Sequence, residues 1–190
     1  MKFSSYEKTA KEYKIGGGGF WTPEPGDNKI RILSGYEVYG NHWVSADNRS
    51  YVCIGKDDGC KYCNDENEDV KKISAKFLMW ILDRKDGEVK IAQVGYSIIK
   101  QLGTLATSED WVFEETPEYD IVIKKTGEKL KTEYAVTPTP NKKPLTKEEQ
   151  EQSKEEIKDL KEIIGKMKEK AGGSNENESN KEVNADNTPF

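Results

Sequence analysis

At 190 residues the chain has room for one domain of ordinary size with some length left over. Hydrophobic residues make up 34%, too few for every part of the chain to be core, and charged residues make up another 34%, with 30 basic and 35 acidic residues and a net charge of −5. That balance excludes a wholly basic, histone-like binder but leaves room for a local basic groove on a neutral body.

Residues 1–145 hold 22 basic and 23 acidic residues, so the acidity is concentrated in the C-terminal end. No apolar run is long enough to cross a bilayer, and no signal-peptide core follows Met1, so a cytoplasmic location is expected and no membrane partner. Three cysteines within eleven residues do not make a disulfide framework.

Residues 1–19 are short, charged and mixed, and end in four glycines from Gly16 to Gly19; they predict a flexible arm with weak helical spacing in its first part. Two prolines and a Pro-Gly turn lead into a strand, KIRILSGYEVYG. The segment from His42 to Cys63 follows, then the acidic break DENEDVKK. KFLMWILD (76–83) is the most apolar run and predicts a central strand, which DRKDG turns back into EVKIAQVG as a hairpin. SIIKQLGTLA switches to helical spacing, weakened by Gly103. A second hairpin is predicted around Thr126-Gly127, from the alternation of Tyr119, Ile121 and Ile123 and of Tyr134 and Val136.

PTPNKKP is expected to end the sheet, because Pro138, Pro140 and Pro144 lack a ladder donor. Thr146 and Glu149 form a capping box that opens a single helix over 145–171, with Ile157, Leu160, Ile164 and Met167 as its apolar stripe. Residues 172–190 hold one lysine against four acids and no core pattern, which predicts a disordered acidic tail. The sum is a mainly β chain of about five strands with one intervening helix, a count and order that fit the five-stranded barrel of the OB-fold. Its core would span 20–140, with a small inserted subdomain at about 40–70.

That subdomain carries the sharpest signal. His42, Cys53, Cys60 and Cys63 are the only histidine and the only cysteines in the chain. Three thiolates and an imidazole ending in Cys-x-x-Cys are a full tetrahedral set for one Zn²⁺, and four protein ligands leave no open position, so the ion would be structural. Gly59 permits the tight turn before Cys60. The plain alternative is one surface histidine and three small buried cysteines; an iron–sulfur cluster fits the spacing less well.

Around these ligands aromatics alternate with cations: Tyr36, Tyr39, Trp43, Tyr51 and Tyr62 among Lys29, Arg31, Arg49, Lys56 and Lys61. Lys76, Trp80, Arg84, Lys90, Tyr119, Lys124 and Lys125 continue the pattern. Rings that stack on bases and cations that meet phosphates are what an unpaired strand needs. The competing explanation is that the rings fill sheet cores and the lysines solvate the faces, and Trp80 lies in a run apolar enough for that. Signatures of enzymes are missing: no phosphate-binding P-loop, no nucleophile elbow, and no histidine left over from the metal set.

PGDNKIRIL, the His42–Cys53–Cys60–Cys63 order and the YDIVIKKTG…YAVTP hairpin together resemble the zinc-containing single-stranded DNA-binding, or helix-destabilising, proteins of tailed bacteriophages, over residues 20–138. The resemblance implies an OB-fold with a zinc subdomain and a non-enzymatic protein that coats single-stranded DNA with little sequence preference. Its setting would be phage replication, recombination and repair in the host cytoplasm. It places the four ligands as above and Arg31, Tyr36, Tyr39, Trp43 and Trp80 in the DNA cleft. It makes residues 174–190, with Asp186, Pro189 and Phe190, a tail that recruits replication and recombination proteins. Residues 1–14 are only weakly basic where the family's arm is distinctly so, which implies weak self-association on DNA. Two rivals stay open: a zinc-stabilised protein-interaction module, and an RNA- or transcription-associated factor.

Overall fold

The structure is a computed structural model, and it describes residues 20–173. The arm predicted over 1–19 and the tail with Asp186, Pro189 and Phe190 lie outside the described residues.

Six strands form one sheet: β1 (Gly26–Val44), β2 (Arg49–Val52), β3 (Ile73–Asp83), β4 (Glu88–Val94), β5 (Tyr119–Thr126) and β6 (Glu133–Lys142). Their hydrogen-bonded path runs β4-β3-β1-β5-β6, with β2 paired to β1 off that path. The pairs β1/β2, β1/β5, β3/β4 and β5/β6 are antiparallel. The helices are α1 (Glu68–Lys71), α2 (Tyr96–Ala106), α3 (Lys147–Glu156) and α4 (Leu160–Gly173). No helix among the described residues is long and apolar enough to cross a membrane.

Two compact units divide the chain, one of residues 20–37 and 77–157, the other of residues 38–76 and 158–173. The first unit holds the main apolar cluster, in which Ile30, Ile32, Met79, Ile81, Ile121 and Ile123 meet Ile98 and Leu102 from α2. Residues 77–83 are buried without a break, as expected of a strand covered on both faces. Gln101 ties α2 to β6, donating to the Tyr134 carbonyl at 2.8 Å and accepting from the Val136 amide at 3.0 Å.

Three expectations differ from what is found. There are six strands, not five, and the path is open, with no pairing among the described residues that joins β4 to β6. The extra strand, β2, has only four residues and none is buried, so it carries no apolar alternation to read. Second, the prolines do not end the sheet: β6 runs through Pro138 and Pro140, with Pro138 opposite Ile121 and Lys142 opposite Tyr119 across a register shift. The two prolines stand two residues apart on an end strand, which pairs on one side only and so can accommodate residues without a ladder donor. Third, the single helix over 145–171 is two helices. Ile157 is extended (φ −69°, ψ 122°) and Asp159 restarts the chain by accepting from the Lys161 amide at 2.8 Å. The capping box at Thr146 and Glu149 is formed as expected.

Candidate metal centre

The second unit brings together the four candidate ligands from three places. His42 lies on β1 opposite Tyr51 of β2, and Cys53 follows β2 directly. Cys60 is the N-cap of a short 3-10 turn over Lys61–Asn64, and Cys63 lies within it. Gly59 at φ +78° turns the chain into it, and the Cys60 amide donates to the Gly55 carbonyl at 3.0 Å.

All four ligand atoms lie within 4.8 Å of one another. Cys53 Sγ is 3.5 Å from Cys63 Sγ, and His42 Nε2 is 3.6 Å from Cys60 Sγ and 3.5 Å from Cys63 Sγ. A tetrahedron with zinc–ligand bonds of 2.0–2.3 Å has edges of about 3.5–3.8 Å. The cysteines are free thiols, and His42, Cys53 and Cys60 are buried. The cluster is consistent with a single structural zinc ion.

The surroundings fit the same donor set. His42 Nδ1 is 2.7 Å from the Val70 carbonyl oxygen, which can only accept, so Nδ1 donates there and Nε2 is the ring nitrogen turned toward the sulfurs. Val70 sits on α1, whose start is fixed by Asn67 accepting from the Asp69 amide at 2.9 Å. Burial pushes the Cys63 thiol up to about 12, and hydrogen bonding to Cys53 and Cys60 adds to the shift. Burial also opposes ionisation of Cys60, but backbone groups of Cys63, Ile54 and Tyr62 outweigh it and hold that thiol below its ordinary value. The two neighbouring sulfurs thus oppose a negative charge on Cys63, and a dication among them would remove that opposition. The Val70 carbonyl was invisible in the sequence, because a backbone acceptor leaves no signature in residue type.

The residues expected to meet an unpaired strand scatter. Trp80 and Tyr119 are 3% and 2% exposed, and Tyr39 is buried. As placed, they offer no face to a base. Tyr119 packs edge-on against Trp111 and donates its hydroxyl to the Trp111 carbonyl at 2.5 Å.

Arg31 is 2% exposed and pairs with Asp120 at 2.9 Å. Arg84 reaches the same carboxylate at 3.0 Å, and Lys29 does so at 3.5 Å. Lys90 pairs with Asp83 at 2.9 Å and with Asp86. These cations already have carboxylate partners. A carboxylate at the right strand position recruits them, and Asp120 gave no such signal in the sequence.

Tyr36 and Trp43 are 56% and 49% exposed. Arg49, Lys56 and Lys124 are also exposed, Lys76 is half-buried, and none of these four cations has an ion pair among the described residues. Tyr51 stacks on Tyr62, with ring centroids 4.7 Å apart.

Comparison with protein-family models, with curated proteins and with solved structures found no match to this chain. What the site can do is therefore read from its own side chains.

Proposed function

We propose that the protein is a non-enzymatic single-stranded DNA-binding protein, of the kind phages use in replication, recombination and repair, and that its cluster of His42 and three cysteines holds one structural Zn²⁺. The observation that carries the reading is on β1, where Tyr36 and Trp43 are left 56% and 49% exposed. A chain with a modest apolar fraction gains by burying such rings, and stacking on unpaired bases recovers that lost burial. Exposed Arg49, Lys56 and Lys124, without carboxylate partners among the described residues, supply phosphate contacts. The strand path β4-β3-β1-β5-β6, with α2 between β4 and β5, supports the finer assignment of an OB-fold barrel. Recruitment of replication and recombination proteins by the acidic residues 174–190 belongs to the same proposal.

The test is titration of a fluorescent oligo-dT at two salt concentrations. Affinity is expected to fall as salt rises, and Trp43→Ala is expected to weaken binding by about 1–3 kcal/mol. Absent or salt-independent binding would refute the proposal and favour a protein-interaction module.

A further inference from the structure

The hairpin of β1 and β2 presents two different faces. Trp43 lies opposite Ser50, while the neighbouring pairs His42–Tyr51 and Val44–Arg49 point to the other face, because side chains alternate along a strand. On that other face, the one that carries the ligand His42, there is an ordered ladder. The Lys61 ammonium stands 5.0 Å from the centre of the Tyr62 ring. Tyr62 stacks on Tyr51 at 4.7 Å with a 31° tilt, and also lies 5.8 Å from the His42 ring. The Tyr51 hydroxyl donates to Asp47 at 2.8 Å, which fixes the far end of that ring. Arg49, exposed and two residues before Tyr51, shares its face.

Lys61 and Tyr62 are the two residues inside Cys60-x-x-Cys63, so the turn that presents two thiolates also sets the height and tilt of the Tyr62 ring. Tyr62 in turn backs Tyr51. Two half-buried rings in a tilted stack, with the Lys61 ammonium over Tyr62 and Arg49 on the same strand face as Tyr51, form an ordered platform.

We propose that Arg49, Tyr51, Lys61 and Tyr62 form one nucleotide site of the bound strand, on the opposite face of the hairpin from Trp43, and that the metal sets its affinity by positioning Tyr62. The base extends the stack on Tyr51, and the adjoining phosphates meet Arg49 and Lys61. The occupied cluster of three thiolates and Zn²⁺ carries one net negative charge, and the two cations offset it where the phosphates arrive. This rests on the single-stranded DNA reading of the whole protein.

The experiment uses the full chain, loaded with zinc, and oligo-dT with a photo-reactive thymine analogue. Tyr62→Leu keeps the bulk under Tyr51 and removes the aromatic face. It is expected to bind one zinc per chain as before and to weaken oligo-dT binding about tenfold. Arg49→Ala is expected to reduce the slope of log affinity against log salt by about one phosphate contact. Irradiation of the wild-type complex is expected to attach the thymine to Tyr51 or Tyr62, located by peptide mass spectrometry, and zinc removal is expected to abolish that attachment.

The site is overturned if wild-type protein binds oligo-dT while Tyr62→Leu, with zinc retained, binds equally well and the attachment maps elsewhere. If wild-type protein binds no oligo-dT at all, the single-stranded DNA reading fails first, and the two failures are distinguishable. If zinc-free protein still attaches the thymine at Tyr51 with unchanged efficiency, the metal does not position the platform.

Discussion

Thirteen buried residues from Ile30 to Val136 form one apolar cluster in the first unit, with Trp21, Trp111 and Phe113 packed against it. The second unit buries eight among its described residues: Tyr39, Asn41, His42, Cys53, Cys60, Val70, Leu160 and Ile164. Three of those eight, His42, Cys53 and Cys60, belong to the candidate metal cluster, so much of the second unit's interior is imidazole and thiol rather than hydrocarbon. With the proposed zinc ion in place, two units of one chain reach stability by different routes. The larger relies on area removed from water, and the smaller, with fewer buried apolar residues, would be stapled by the metal.

Removing the staple is the severest way to break the comparison. Structural zinc sites contribute apparent binding free energies on the order of 10–16 kcal/mol at neutral pH, and that energy is folding energy. A chelator, or Cys60→Ser, is expected to abolish amide-exchange protection across residues 38–76 while the core strands of the first unit stay protected. Equal protection with and without metal would mean that the four side chains are only a packed cluster. Because α4 buries Leu160 and Ile164 within the second unit, its amides should lose protection together with those of β2.

The first unit has a weak point of its own, and it is electrostatic. Asp120 collects Arg31, Arg84 and Lys29, and Arg84 also holds Glu149 of α3 at 2.5 Å. Asp120→Ala leaves Arg31 buried with its charge unmatched, and is expected to cost about 3–5 kcal/mol in the zinc-loaded protein, read by denaturant unfolding.

The pH dependence follows from the same network. Burial opposes ionisation of Asp120, but Arg84, Arg31 and Lys29 outweigh it and hold its carboxyl below the ordinary value. Glu149 is likewise depressed: burial is overcome by the Thr146 amide and Arg84. A depressed carboxyl contributes stability that is full above its unfolded value and lost as pH falls through its folded value. The first unit should therefore hold its stability down to about pH 4 and lose it below, and Asp120→Ala should flatten that acid limb. An unchanged acid limb in the variant would assign the loss to other carboxyls.

The contrast also explains what could be read from residues alone. The His/Cys cluster was legible because zinc chemistry restricts residue type and the chain has one histidine and three cysteines to offer, and the structure brings these four together. The hairpin of β3 and β4 was legible because an apolar run, a turn and a return strand are local signals. The fate of the cations was not: Arg31, Arg84 and Lys29 converge on Asp120 from 36 to 91 residues away, and no local pattern announces a shared carboxylate. The split between α3 and α4 was partly legible. Asp159 followed by Leu160 is a helix-start signal, but the capping box at Thr146 and the continuing stripe of Ile157, Ile164 and Met167 masked it.

The smallest prediction turns on a residue whose sequence signal pointed to weakness. Gly103 lies inside α2, where glycine costs about 1 kcal/mol relative to alanine. It lines a cavity of about 320 Å³ in the first unit, among Ile32, Met79, Leu102 and Phe113, and a β-carbon built there meets no atom within 4 Å. Gly103→Ala should therefore raise the stability of the first unit by about 0.4–1 kcal/mol, since the helix is already compatible and the unfolded chain loses freedom. Gly127 provides the opposing case, with φ at +71° and a built β-carbon only 2.1 Å from the Lys131 carbonyl oxygen. The same chemical change there should destabilise, because neither backbone can give way cheaply. Thermal unfolding of both variants, loaded with zinc, tests the placement of α2 and of the β5–β6 turn. Two shifts of the same sign would contradict one placement or the other, while opposite signs would show that the first unit responds to its own packing and backbone geometry with the metal held constant.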